Sequence, residues 1–546
     1  MFSRKKLLII SACVLLLFAF KQADDYFEVS KNMEIFGNVY KEIHTGYVDE
    51  IKPGDLMKKG IDAMLGSLDP YTNFYTESQA EDAMIMRSGE YGGIGCSSIK
   101  RDKYQYINIV YKGLAADKAG LRVGDKVLEI NGKSFVGKSL DESGDAIRGA
   151  PNTKVTITVE RDGQRQLIEI TREEIKQKNV PYYGLINAET GYIKLEHFMM
   201  GASKEIRDAL LSLKQKGIKQ LVLDLRDNGG GLLHEAVAIV NIFVDKNQVV
   251  VTTKGRAEEA FKQYKTLDPV TDGNIPLIVL VNNHSASASE IVCGAIQDFD
   301  RGVVVGRNTY GKGLVQNTRM LVYGTQMKLT IAKYYIPSNR CIQLLDYSKR
   351  NPDGSAGIVP DSLRKAFKTK NGRTVYDGGG VKPDVVVSEA VLANISKSLE
   401  QEYMIFDYAT RYRSQHAQIG EIGKFKLTDA DFEDFKKFIT ERNFSYNTQT
   451  EKALKGLEDK AKEEKFTDNM QTEISELKKA LKKIKDLDID KNKAEIMVLL
   501  QAEIARRYYY EEALIESSFL SDPDVLKVIE LFGNTAAYQS ILTTIK

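Results

Sequence analysis

Residues 277–316 constrain this chain more than any other stretch. Leu277 to Val281 is an apolar, β-branched run and reads as a buried strand. A polar turn follows, in which Ser285, Ser287 and Ser289 are spaced two apart. Glu290 to Phe299 then carries Ile291, Val292, Ala295 and Ile296 at helical spacing. A second strand, Val303 to Val305, leads into a glycine-rich loop holding Lys312. A serine on a strand-to-helix turn is presented at a helix N-terminus, where backbone N–H groups favour developing negative charge. That placement suits a nucleophile.

A serine nucleophile needs a base. His284 lies three residues before Ser287, but on one tight turn the two side chains need not face each other. Lys312 is the better candidate. An ordinary lysine titrates near about 10.4, and burial in an apolar pocket lowers that value by several units. A Ser–Lys pair is a known variant of the triad arrangement. Each element also has a plainer reading. Small polar residues after a strand often do no more than cap a helix. Gly306 to Lys312 fits the start of a nucleotide-binding G-x-x-x-x-G-K loop. Gly313, however, stands where that loop needs Ser or Thr for magnesium, and Leu314 to Val322 reads as strand instead of helix.

Taken together, SASASEI, QDFDRGVVVG and YGKGLVQ resemble the signature of the carboxyl-terminal processing (tail-specific) serine peptidases. The resemblance runs over roughly residues 35–390. It implies Ser287 as nucleophile, Lys312 as base, Gln316 as the residue that orients the lysine, and Asp298 as a supporting residue. It also implies an oxyanion hole built from the backbone N–H groups of Gly230 and Ala288. Gly230 lies in Asp224-Leu225-Arg226-Asp227-Asn228-Gly229-Gly230-Gly231, which runs from a strand end into a loop. Relatives often carry proline where this chain has Gly229, so which glycine donates is left open.

Composition narrows the alternatives. A chain of 546 residues is too long for one core, so three or more units are expected. The net charge of +2 and the lack of a basic patch disfavour nucleic acid as main partner. Cys13, Cys96, Cys293 and Cys341 have no paired spacing, and H-E-x-x-H is absent, so neither a disulfide framework nor a metal site is expected. The chemistry implied needs no cofactor.

In chain order, residues 1–22 read as a signal or anchor segment: Arg4, Lys5 and Lys6 precede an apolar run from Leu7 to Phe20. The run is short for a membrane span and no clear cleavage site follows, so an uncleaved anchor and a cleaved signal both fit, with the anchor preferred. Ile10-Ser11-Ala12-Cys13 loosely resembles a lipoprotein box, but the apolar run continues past it. In a bacterium with two membranes the body would be periplasmic, anchored to the inner membrane. Residues 23–88 read as helical. Residues 89–175 carry Tyr91-Gly92-Gly93-Ile94-Gly95, LAADKAGL and GDKVLEING, which resemble a PDZ domain, with Asp162-Gly163 as a hairpin turn. That resemblance implies that Gly93, Ile94, Gly95 and Cys96 border the site for a peptide C-terminus, which adds as an extra strand. Residues 176–389 form the peptidase core, with residues 354–372 as a polar insertion. Residues 390–546 read as a helical C-terminal domain, where Ile474, Leu477, Leu481 and Ile484 recur at helical spacing with charges between them; a solvated helical face is the preferred reading, and a homodimer is the alternative the stripe offers.

The expected fold is therefore a multidomain α/β (α+β) chain. It has a crotonase-like Ser–Lys peptidase core, a PDZ domain and helical N- and C-terminal regions. The expected partners are proteins with exposed apolar C-termini and an activating adaptor or lipoprotein. Arg148, in the PDZ helix, is a candidate for coupling peptide binding to activity. Two rivals stand beside this reading: a catalytically degenerate PDZ adaptor, and a crotonase-type acyl-transfer enzyme. A Ser-x-x-Lys enzyme fails on spacing, because no lysine lies three residues after Ser285, Ser287 or Ser289.

Overall fold

A computed structural model describes residues 26–77, 79–80, 89–389, 391–422 and 424–543. The signal or anchor segment 1–22 lies outside the described residues. The chain falls into two compact units, Met1–Ala80 with Gln316–Thr330, and Glu81–Val315 with Ile331–Lys546.

The larger unit is centred on a six-stranded sheet. Its strands run in the order Tyr182–Leu185, Thr190–Lys194, Gln220–Asp224, Leu277–Val281, Val303–Gly306 and Val385–Val386. The first pair is antiparallel and all others are parallel. Every residue of Leu277–Val281 is buried, as expected of a parallel strand covered on both faces. Leu277, Val279 and Val281 pack with Leu210, Val240 and Ile291 from the helices Ala202–Gln215, Leu233–Phe243 and Ala288–Asp298. Ile278 and Leu280 point the other way, as the two-residue repeat of a strand requires. They meet Phe519, Val525, Val528, Leu531 and Tyr538.

This second layer differs from the expected arrangement. The helices Pro523–Gly533 and Thr535–Leu542, read from sequence as the end of a separate helical domain, cover the back of the central sheet. Tyr538 Oη both receives the N–H of Leu277 (3.0 Å) and donates to its carbonyl (3.1 Å). Their apolar faces are needed there, because a parallel sheet left open on one side would expose Val222, Ile278, Leu280, Val303 and Val305.

The expected PDZ region is a separate sheet, with Cys96–Arg101, Tyr104–Val110, Lys126–Ile130, Lys154–Arg161 and Gln164–Thr171 in that order. Asp162 and Gly163 both have positive φ (50° and 75°), the conformation that a two-residue hairpin demands. Ile107, Ile157, Val159 and Ile170 fill its core. The helical region has its own core of Ile395, Leu399, Tyr408, Phe432, Phe435, Ile496 and Leu500. Arg101 joins the two by a fork to Asp407 (2.6 and 2.9 Å) and stacks over Tyr403. The helical stripe read from sequence on Thr467–Lys491 is split: Ile474 is buried, whereas Leu477 and Ile484 are exposed.

In the smaller unit a helix over residues 26–46 and the helix Pro53–Gly66 precede the strand Asn73–Tyr75, which pairs antiparallel with Gln326, Met327 and Lys328. No helix among the described residues is long and apolar enough to cross a membrane.

Candidate active site

The strand Leu277–Val281 ends in a turn whose serines have different fates. Ser285 is fully buried; its hydroxyl receives the N–H of Asn282 (2.9 Å) and donates to the Leu225 carbonyl (2.8 Å). Ser289 is also fully buried and donates to the Asn228 carbonyl (2.8 Å). Both hydroxyls therefore lace the serine turn to the Asp224–Gly231 loop. Ser287, between them, is the one left partly exposed. It opens the helix Ala288–Asp298 with φ +57° and ψ −112°. A non-glycine residue held there stores about 1–3 kcal/mol, and such strain persists only where the surroundings over-determine it.

Glu290 supplies that over-determination. Its fully buried carboxylate accepts the N–H of Ser287 (2.8 Å) and of Lys312 (2.9 Å) on Oε2. Oε1 accepts the Thr309 hydroxyl (2.5 Å) and the Gly311 N–H (2.7 Å). Burial raises its pKa, and these donors pull against that rise. The nucleophile turn and the lysine loop are thus tied through one side chain. Tyr310 N–H reinforces the tie by donating to the Ser285 carbonyl (3.0 Å), and Tyr334 bridges the two parts, with Oη donating to the Ser287 carbonyl (3.1 Å) and N–H to the Gly313 carbonyl (2.9 Å). Lys312 itself is half-buried. The glycines beside it are required by space. A Cβ on Gly311 would lie 2.5 Å from Leu344 Cβ, and one on Gly313 would lie 2.9 Å from the Gln343 nitrogen. Leu314–Met320 is a strand, which is not what a nucleotide-binding loop is followed by.

Sequence reading missed Glu290. The signal was present: a serine, then a glutamate three residues later at the head of an apolar helix, is a capping-box pattern. It missed Thr309 and Tyr334 as well, and no local pattern marks them.

The loop Asp224–Gly231 reaches the serine turn, as the oxyanion assignment requires. Gly230 has φ +95°, and a Cβ there would lie 2.6 Å from the Ala286 oxygen, 2.8 Å from the Ala288 nitrogen and 2.9 Å from Ser287 Cβ. Its N–H, however, donates to Asn228 Oδ1 (2.9 Å), so the donor expected for an oxyanion is engaged within its own loop. Asn228 is anchored by its amide to the Leu195 carbonyl (2.9 Å) and receives Ala286 N–H on its own carbonyl (3.0 Å). His284 lies against Asp227, with Nδ1 3.1 Å from Oδ1, both well exposed.

Asp298 sits at the far end of the helix that Ser287 opens. It pairs with buried Arg340 (2.9 Å) and accepts the Ser338 N–H (2.9 Å), a supporting position distant along the helix from the serine. Gln316 belongs to the smaller unit. Its amide donates to Thr330 Oγ1 (3.1 Å), which in turn donates to Asp69 Oδ1 (3.2 Å). Asp69 also accepts the N–H of Tyr71 and Thr72, so the Asp69–Thr72 turn anchors Gln316.

Gly93, Ile94, Gly95 and Cys96 line a groove of about 210 Å³ together with Leu140 and Ile147 of the PDZ helix. Cys96–Arg101 is an edge strand of its sheet, so it has a side on which another strand can add. Gly95 has φ +76°, and a Cβ there would collide with Leu114. Arg148 lies over the Tyr91 ring (5.9 Å). Among the described residues, no group of acidic, histidine or cysteine side chains has the arrangement to hold a metal ion.

A strained serine at a strand-to-helix turn, a lysine loop held to it, and a peptide-groove domain in the same chain define a serine peptidase with a PDZ domain. Comparison with known proteins makes this specific. Residues 189–362 match Peptidase family S41, residues 106–161 a PDZ domain, and residues 395–532 the C-terminal helical domain described for probable PDZ-proteases. A "Probable CtpA-like serine protease" of Staphylococcus aureus (strain COL) is 35% identical over 395 residues, covering 70% of this chain and 77% of that protein. The protein so named in strain MSSA476 is 38% identical over 395 residues, with the same coverage. The solved photosystem II D1 C-terminal processing protease is 24% identical, covers 65% of this chain and 87% of its own, and superposes with a TM-score of 0.36. The chain belongs to peptidase family S41, among its CtpA-like serine proteases.

Proposed function

We propose that this chain is an endopeptidase that captures the C-terminal tail of a protein substrate in its PDZ groove and cleaves with a Ser287–Lys312 dyad. The observation that carries the reading is the shared acceptor: Glu290 Oε2 receives the backbone N–H of both residues. The two backbone nitrogens therefore cannot be further apart than those two bonds allow. Of the turn's serines, Ser287 alone is not committed to a buried carbonyl.

In this mechanism neutral Lys312 takes the Ser287 proton as the hydroxyl attacks the scissile carbonyl. Ala288 N–H faces the developing oxyanion; Gly230 N–H joins it once Asn228 Oδ1 lets go. Lys312 then protonates the leaving amine, and water hydrolyses the acyl-enzyme. The substrates are proteins with exposed apolar C-termini, because Ile94, Leu140 and Ile147 line the groove. The basic-then-apolar N-terminal segment supports an exported enzyme, anchored at the inner membrane and facing the periplasm. Exposed Leu477 and Ile484 support a homodimer.

The test is degradation of a loosely folded protein bearing an apolar tail, by the full chain and by its Ser287→Ala and Lys312→Ala forms. Loss of cleavage in both variants is expected. Cleavage by Ser287→Ala at the parental rate would refute the dyad, and indifference to a charged substrate tail would refute the PDZ assignment.

A further inference from the structure

Behind the Asp224–Gly231 loop lies a buried charge cluster that the reaction scheme does not use. Arg226 Nη1 donates to Asp522 (2.7 Å) and to Asp524 Oδ2 (2.9 Å), while its other nitrogens grip Asp224 (2.7 and 3.1 Å). Arg307 Nη2 donates to the same Asp524 oxygen (2.9 Å). Lys194 Nζ donates to the Arg226 carbonyl (2.7 Å), and Tyr192 Oη to Asp224 (2.5 Å). Lys194, Arg226 and Arg307 face Asp224, Asp522 and Asp524, so the formal charges cancel. Asp524 is 1% exposed.

Where the two arginines stand in the chain gives the cluster its meaning. Arg226 begins the loop that presents Asn228 and Gly230 to the serine turn. Arg307 follows the strand Val303–Gly306 and begins the segment that carries Thr309, Gly311 and Lys312. One carboxylate, from the first turn of the helix Pro523–Gly533, therefore holds the roots of both the oxyanion loop and the lysine loop. A buried carboxylate shared by two guanidinium groups is directional, and neutralising it leaves Arg307 without its carboxylate partner and the cluster with one positive charge in excess. Apolar docking of the same helix is a different interaction, made by Val525, Val528 and Leu531 against the sheet.

We infer that Asp524 is a positioning residue for peptide hydrolysis: through Arg226 and Arg307 the C-terminal helix sets the register of the oxyanion and lysine loops. This rests on the Ser287–Lys312 reading.

The experiment compares the full-length parent with Asp524→Asn, which keeps size but drops the charge, and with Tyr538→Phe, which weakens docking of the same layer away from the arginines. Turnover of unfolded casein and hydrogen exchange over residues 225–232 and 307–313 are read for each. The expected result for Asp524→Asn is a kcat about tenfold lower or more, a KM within about twofold, and faster exchange in both segments. Tyr538→Phe is expected to keep the parental kcat. Unchanged kcat and exchange in Asp524→Asn would overturn the inference, and so would an equal kcat loss in Tyr538→Phe, which would reduce Asp524 to a docking contact. Should Ser287→Ala prove as active as the parent, the dyad has failed, and the exchange data still decide whether Asp524 holds the loops.

Discussion

Ser287 and Lys312 donate their backbone N–H groups to one oxygen, Glu290 Oε2, at 2.8 and 2.9 Å. The turn that strains the serine and the loop that carries the lysine are therefore one hydrogen-bonded body. Their mutual geometry is set before any substrate arrives.

Replacing Glu290 by glutamine tests that body. One amide nitrogen in place of a carboxylate oxygen sets N–H against N–H and leaves one or two backbone donors unpaired in a buried site, according to which oxygen it replaces. The expected cost is about 2 kcal/mol of stability, read by urea unfolding. Displacing Ser287 against Lys312 by even a fraction of an ångström is expected to lower kcat by about a hundredfold. Parental kcat in a correctly folded Glu290→Gln protein would contradict this account.

Gly230→Ala is expected to be inactive for a steric reason. Its Cβ would stand 2.6 Å from the Ala286 oxygen and 2.9 Å from Ser287 Cβ, at a positive φ that alanine disfavours. The loop must then retreat from the serine. We expect turnover to fall about a hundredfold or more, with tail-peptide affinity in the PDZ groove unchanged. Affinity measured by calorimetry separates the two effects.

Acid stability is expected to depend on Asp224. Burial by itself would raise its pKa, but the Arg226 guanidinium and the Lys194 ammonium overcome that and hold it well below the usual carboxylate range. A depressed folded value contributes stability above the unfolded value of about 3.9, and the contribution is lost as pH falls through the lower folded value. Urea midpoints between neutral and strongly acidic pH should therefore fall less steeply for Asp224→Asn than for the parent. Parallel curves would remove Asp224 from the acid transition.

The Cys96 thiol borders the PDZ groove, and burial pushes it up to about 12. At pH 8 its thiolate fraction should be about a thousandfold below that of a free thiol. Iodoacetamide is expected to modify Cys96 very slowly by mass spectrometry, and a bound apolar tail peptide to slow it further. Rapid labelling, or no protection by peptide, would argue against this picture of the groove.

Much of this molecule was legible as sequence because local chemistry marks it. Leu277–Val281 is apolar throughout because both faces of the strand are covered. The Ser-x-Ser-x-Ser turn and Asp162-Gly163 answer to backbone constraints that act within a few residues. What only tertiary structure decided are contacts between residues far apart in the chain. Whether Ser285, Ser287 or Ser289 stays exposed depends on the Leu225 and Asn228 carbonyls. The Gly230 N–H is occupied by Asn228, whose amide is anchored to the distant Leu195 carbonyl. Gln316 depends on Thr330 and Asp69. The helices after Phe519 carry apolar faces that a sequence cannot assign to one partner. They cover the central sheet because its second face needed burial and because Asp524 meets two arginines there. Periodicity reports that a face will be buried, and three-dimensional packing selects what buries it.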